Sequence, residues 1–275
     1  MGTHKLTIAY DGRRYGGWAW QPGLLTVQGV LEEAVGRILG GVEVRLIVAG
    51  RTDAGVHATG QVASFQLPPD REPPDRFAER INAVLPRDVA VLAAAPAPDG
   101  FDARRWARSR SYRYRVLASP IRDPFEDGRA LWWTYPIDRE ALDACAAAVA
   151  GEHDFTAFTP TQTEHVRFER RVLRSAWGEE GGAANPAVPG REAEEQSGRL
   201  LVYEIEADAF MRNMIRVLVG TMLEVAAGRR SVDDFSALLE GAPRERAGET
   251  APAHGLYFTG VSFGDGPAFE HPASS

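Results

Sequence analysis

Arg51-Thr52-Asp53 is the stretch of this chain with the clearest chemical potential. It lies in Ala49-Gly50-Arg51-Thr52-Asp53-Ala54-Gly55-Val56-His57-Ala58, between two segments with strand patterning. In an extended segment residues i and i+2 face the same way, so a guanidinium and a carboxylate would project together from a strand end. A neighbouring cation favours the ionised carboxylate, the form that a nucleophile or base requires. The same residues also fit an Asx-turn, with Asp53 bonded to backbone near Gly55. His57 is open in the same way: it either touches a substrate or makes a structural turn contact.

A second group lies between Arg104 and Arg115, where six arginines are interleaved with Trp106, Tyr112 and Tyr114. Lys5 is the only lysine, so nearly all positive charge sits on arginine, whose fork matches phosphate and whose plane stacks on bases. The segment reads either as an RNA surface or as a solvated strand face. The net charge of −7 argues mildly against nucleic acid, but the acid gathers elsewhere, notably between Glu179 and Glu206. The histidines, at 4, 57, 153, 165, 254 and 271, have no zinc-ligand spacing with cysteine or carboxylate partners. The single cysteine, Cys145, sits among alanines and reads as a small buried hydrophobe. No apolar stretch is long enough for a membrane span, and the N-terminus lacks signal-peptide character, so a cytoplasmic location is expected.

The elements that must position these residues form a repeat. Residues 4–10 alternate as a strand, and Thr26 is placed to cap a helix closed by Gly40-Gly41. Residues 43–49 and 61–67 read as strands, Asp75 as the cap of a helix ended at Pro86, and 89–94 as a further strand. The second half repeats the order. Strands are expected at 111–118, near 130–135, at 171–177, 199–208 and 256–263. Helices are expected at 139–150, capped by Asp138, at 210–227, and after Ser231. His153-Asp154 reads as a turn after Gly151. Both halves follow β-α-β-β-α-β, which predicts an α+β fold of two tandem ferredoxin-like halves, 1–105 and 106–275, with mostly antiparallel sheets and helices on one face. Residues 179–198, rich in Gly, Ala, Pro and Glu, read as an exposed acidic loop.

GRTDAGVHATGQVASF closely resembles the signature of the TruA family of pseudouridine synthases. The likeness extends to Ile8-Ala9-Tyr10-Asp11-Gly12, Gly17-Trp18, Thr26-Val27-Gln28, Asn82-Ala83-Val84-Leu85-Pro86 and Phe101-Asp102-Ala103-Arg104. It continues through Ser111-Tyr112-Arg113-Tyr114, His153-Asp154-Phe155, Phe210 to Gly220, and Ala251-Pro252-Ala253-His254-Gly255-Leu256. Ala19-Trp20 departs from the family, which often has a glutamine first there; Trp20 is read as packing on the core.

The resemblance implies the pseudouridine synthase fold and an isomerase acting on uridines 38, 39 and 40 of the tRNA anticodon stem-loop. It implies a homodimer without metal or organic cofactor. Asp53 matches the essential aspartate and Arg51 an arginine that helps flip the target nucleotide. Tyr112 matches the tyrosine that stacks on the target base, and Arg216 the cation that pairs with the catalytic carboxylate. Arg104 and Arg113, inside matching blocks, are expected at the substrate with His57. The rivals are an RNA-binding module or chaperone of the same fold without turnover, and a small-substrate hydrolase using Asp53 and His57.

Overall fold

The computed structural model describes residues 2–68, 71–162, 166–180 and 198–268. In chain order the elements are β1 (Gly2–Tyr10), α1 (Val27–Ile38), β2 (Ile47–Val48), β3 (His57–Leu67), α2 (Phe77–Asn82), β4 (Val89–Ala97) and β5 (Ala107–Ala118). There follow β6 (Leu131–Trp133), α3 (Arg139–Val149), β7 (Gly151–Asp154), β8 (Glu169–Glu180), β9 (Arg199–Ala207), α4 (Met214–Ala226), α5 (Val232–Ser236) and β10 (Leu256–Phe263). The chain divides into two compact units, Met1–Arg110 with Tyr257–Ser275, and Ser111–Leu256.

In the first unit the strand order is β4-β1-β3-β2, and all three neighbouring pairs are antiparallel, the arrangement of a ferredoxin-like sheet. Alternation in β1 turns Leu6, Ile8 and Tyr10 into the core. Thr26 caps α1, its Oγ1 accepting the Gly29 N–H at 3.3 Å. The edge of β3 away from β1 is shared. Val48 and Ile47 pair with Ala63 and Ser64, while Tyr257 and Phe258 of β10 run parallel to His57 and Ala58. Thus the last strand of the chain, which by order along the sequence ends the second repeat, lies in the first unit.

The second unit has the order β5-β9-β8-β7, with β6 parallel to β5. β8 and β9 form an antiparallel pair from Val172↔Ala207 to Glu180↔Leu200. The expected acidic loop 179–198 starts too early, since Glu179 and Glu180 are paired in β8; its residues 181–197 fall outside the described set. Asp138 caps α3, accepting from the Ala141 N–H, and α3 packs on β8 and α4. Almost every side chain of α4 is buried, as its unbroken apolar run demands. Cys145 is fully buried, and burial pushes its thiol up to about 12.

Three local expectations are corrected. The alternation at 43–49 is real, with Val44, Leu46 and Val48 buried, but only Ile47–Val48 join the sheet. The Leu46 N–H donates to Glu32 Oε1 at 2.8 Å, outside the ladder. Asp75 does not cap α2: Arg76 takes the cap position in a left-handed conformation, φ 56°, with no side-chain cap bond. His153-Asp154 is strand, not turn. Gly151 at φ 110° reverses the chain directly after α3, and Gly151–Asp154 pair with β8.

Candidate active site

The loop carrying Asp53 joins β2 to β3 and is fixed along its length. Thr52 is buried; its Oγ1 is 2.7 Å from the Tyr10 hydroxyl, and its carbonyl accepts the Trp18 N–H at 3.0 Å. Burial and the loss of water around the phenol push Tyr10 up to about 12, so it stays a neutral hydroxyl. Gln61, wholly buried, donates to the Gly50 carbonyl at 2.8 Å and accepts the Val62 N–H. Arg110 Nε donates to the Ala49 carbonyl at 3.0 Å. Two glycines admit the loop. A Cβ on Gly12 would stand 2.0 Å from the Val56 carbonyl oxygen, and one on Gly17 would stand 2.9 Å from that of Thr52.

Against this rigid backing Asp53 is exposed. The turn at its position is closed by backbone, the Val56 N–H donating to the Asp53 carbonyl at 3.2 Å. The carboxylate is therefore not spent on an Asx-turn. It makes no hydrogen bond or ion pair among the described residues of its own unit, and the same holds for the exposed Arg51 guanidinium. Arg51 and Asp53 are brought to one short segment but do not bond each other. His57 is buried, its Nδ1 accepting the Gly12 N–H at 3.2 Å and its ring stacked on Tyr257 at 4.6 Å. The same nitrogen lies 3.3 Å from Asp11 Oδ1. Here His57 fastens the start of β3 to the segment around Gly12. Asp11 is itself bound by Arg13: burial works to raise its carboxyl, but the side-chain and backbone bonds from Arg13, together with the charges of His57 and Arg13, hold it below its ordinary value.

In the second unit Tyr112 and Arg216 sit on separate elements. Tyr112, on β5, is buried with its ring edge-on to Phe210 at 5.0 Å. Arg216 lies in the first turn of α4. Its Nε donates to the Ala251 carbonyl at 2.7 Å and its Nη1 to Asn213 Oδ1 at 3.0 Å, while the Ala251 N–H donates to the Arg216 carbonyl. Asn213 holds φ 61°, a left-handed conformation that costs a non-glycine residue roughly 1 kcal/mol and recurs at functional positions. A Cβ on Gly220 would meet the Glu249 carbonyl oxygen, so the 249–252 segment lies directly on α4. Tyr114 completes the frame: its hydroxyl donates to the Pro252 carbonyl at 2.8 Å. Burial drives its pKa far up, and the nearby Arg216 charge only partly offsets this. Among the described residues no group of three or more His, Cys, Asp or Glu is placed to hold a metal ion.

The family model described as tRNA pseudouridine synthase matches residues 6–104 and 145–264. A curated relative from Myxococcus xanthus, named tRNA pseudouridine synthase A, is 40% identical over 275 residues, 98% of this chain and 96% of its own length. Relatives of the same name from Frankia casuarinae and Halalkalibacterium halodurans are 40% and 38% identical over 96% and 91% of this chain, and 90% and 89% of theirs. This chain belongs to the tRNA pseudouridine synthase family.

Within a tRNA pseudouridine synthase the arginine-rich segment would be the natural place to seek RNA contacts, yet most of it is already engaged. Arg113 Nη1 binds Glu180 at 2.5 Å and its Nη2 lies 3.7 Å from Glu204. Arg115 is held by Glu126 and Glu180. Arg104 differs: its N–H donates to Asp102 Oδ1, its carbonyl accepts from Arg110, and its exposed guanidinium has no partner among the described residues of its own unit. Asp102 accepts the Arg104 and Arg105 N–H groups. Tyr10, Gly12 and Gln61 were missed as supports of the Asp53 loop. The polar Gln61 inside a strand was the one available signal.

Proposed function

We propose that this chain isomerises uridine to pseudouridine at positions 38, 39 and 40 of the tRNA anticodon stem-loop, with Asp53 as the catalytic carboxylate. The observation that carries this reading is Asp53 itself, an exposed carboxylate on a loop whose backbone is bonded at Ala49, Gly50 and Thr52. A loop so held presents one geometry before substrate arrives, which lowers the barrier more than a flexible carboxylate would.

The target base must first leave its stack, at a cost of a few kcal/mol. Arg51, unpaired in its unit, suits the vacated space, and the Tyr112 ring suits one face of the extruded base. The N1–C1′ bond then breaks as the Asp53 carboxylate either attacks C1′ or stabilises the positive charge there, as in glycoside hydrolysis. The freed base turns and C5 bonds to C1′, with any Asp53–C1′ bond breaking to return the carboxylate; the C5 proton is then lost and N1 gains a proton. No atoms are gained or lost overall. Arg216 is the cation that the family likeness assigns to the catalytic carboxylate; within its own unit Ala251 and Asn213 hold its Nε and Nη1. Arg104, His57 and Arg113 divide by geometry. Arg104 has the free fork for phosphate, while His57 and Arg113 act by holding protein groups in place. The enzyme works as a homodimer in the cytoplasm without metal or organic cofactor. Among the described residues no helix is long and apolar enough to cross a membrane.

The test is to incubate the wild type and Asp53→Ala with unmodified tRNA and map pseudouridine at each site. Wild type should modify the anticodon stem. The variant should leave every uridine unchanged while keeping its melting temperature, since the carboxylate supports nothing in its unit. Binding by wild type without modification would leave a binding module in place of an enzyme.

A further inference from the structure

Trp20 does not pack on the core as its sequence context suggests: it is 54% exposed. Its position is nevertheless tightly specified. Its backbone N–H donates to Gln28 Oε1 at 3.0 Å, and Gln28 is in turn fixed by its amide to Glu32 Oε1 at 2.7 Å. A Cβ on Gly29 would stand 3.4 Å from the indole Cδ1, so the ring lies over the first turn of α1 where that glycine leaves room. The loop around it is strapped by the bonds from Gly16 N–H to the Leu25 carbonyl and from Val27 N–H to the Gly17 carbonyl. Through Trp18 N–H it is bonded to the Thr52 carbonyl, beside Asp53. Trp18 and Trp20 Cα atoms are at most about 7 Å apart along the chain. The indole and the Asp53 loop are therefore parts of one fixed body.

This large aromatic is held at its base over α1, yet more than half of it is left open to solvent. Rigid exposed aromatics beside free arginines are what single bases stack on, because every base has a π-face. Arg51 supplies the free cation, on the loop to which Trp20 is strapped. We propose that Trp20 is a positioning residue, an indole platform that stacks on a nucleobase of the bound tRNA and sets the RNA's register against Asp53. This rests on tRNA being the substrate.

The experiment measures equilibrium binding of unmodified tRNA to the full chain, to Trp20→Ala and to Trp20→Phe across a salt series. Sedimentation is run alongside. Trp20→Ala should bind about tenfold more weakly, and Trp20→Phe should recover most of that. The salt slope should not change, because no cation is removed. Single-turnover rates at saturating protein should fall in Trp20→Ala and be largely restored in Trp20→Phe, because the register of the bound RNA against Asp53 depends on the platform. Binding of tRNA should quench an indole emission that is present in wild type and missing from Trp20→Phe, a readout that does not depend on how Trp20→Ala folds. Undiminished affinity in Trp20→Ala would overturn the proposal. So would an affinity loss that follows a change in oligomeric state, which would make the indole a contact between copies. If neither protein forms pseudouridine yet Trp20→Ala still binds more weakly, the isomerase reading falls and the stacking platform stands.

Discussion

Gly12 governs the Asp53 loop without touching a substrate. Its missing side chain leaves room for the Val56 carbonyl, and its N–H holds His57. Gly12→Ala should push the loop away, costing about 1–3 kcal/mol of stability by overpacking. Pseudouridine formation should be nearly abolished even at temperatures where the variant is folded. Parallel melting curves and activity assays check both. Tyr10→Phe is milder. It removes one buried partner of Thr52, for about 1–2 kcal/mol in stability, and leaves the backbone bond to Trp18 intact. The Asp53 segment stood out in the sequence through its glycines and its neighbouring arginine, but those residues fitted an Asx-turn as well, and the expected role of the carboxylate came from the family likeness. Gly12 and Tyr10 did not stand out, because what matters is their closeness to residues far along the chain, and only folding creates that.

At the scale of elements, the arginines of β5 and of the Asp53 loop differ in how their charge is met. Arg113 is already neutralised by Glu180 and Glu204, whereas Arg51 on the Asp53 loop carries no counter-charge in its unit. Arg51→Ala should therefore lower the salt slope of tRNA binding by about one, and Arg113→Ala should leave it unchanged. Titrations of each variant from low to moderate salt distinguish them. The capping box of α5 offers a control remote from chemistry. Ser231 accepts the Asp234 N–H, and Asp234 reaches back to Ser231. Ser231→Ala should cost about 1 kcal/mol with activity retained. Such caps, and the long apolar run of α4, are local signals and were visible beforehand. β7 was not, since Glu152-His153-Asp154 has no apolar alternation and becomes strand only through its partner β8. The arginines of β5 misled for a similar reason: their carboxylate partners come from β8, β9 and the segment before β6.

For the whole molecule, each unit carries a histidine whose basicity burial depresses. Burial lowers His4 below 6.5, with Glu72 partly opposing it, and burial likewise lowers His254, opposed by a backbone bond at Ala130 and by Asp127. Both imidazoles resist protonation when folded and accept it when unfolded, so the unfolded chain binds more protons as pH falls. Their contribution is complete above pH 6.5 and is lost as pH drops through the depressed folded values. Urea midpoints measured from pH 8 down to pH 5 should fall, and the fall should flatten in a His4→Gln, His254→Gln double variant. Family and fold class were legible because matching blocks run in order through the whole chain. The division into units was not. The pattern of residues 256–263 marks a strand but says nothing about which strand receives it.

That destination has a consequence for how the protein is made. A ribosome releases β1 to β4 early, yet β10, which pairs with the start of β3, follows only after the second unit's strands and helices. The unit holding Asp53 therefore waits through synthesis of the entire second unit with the first residues of β3 unpaired on one edge. Nascent chains halted before residue 256 should be prone to edge-to-edge association and to capture by chaperones. The His57–Tyr257 stack forms only when β10 arrives, so the anchoring of the Asp53 loop is completed only after the whole second unit has been made.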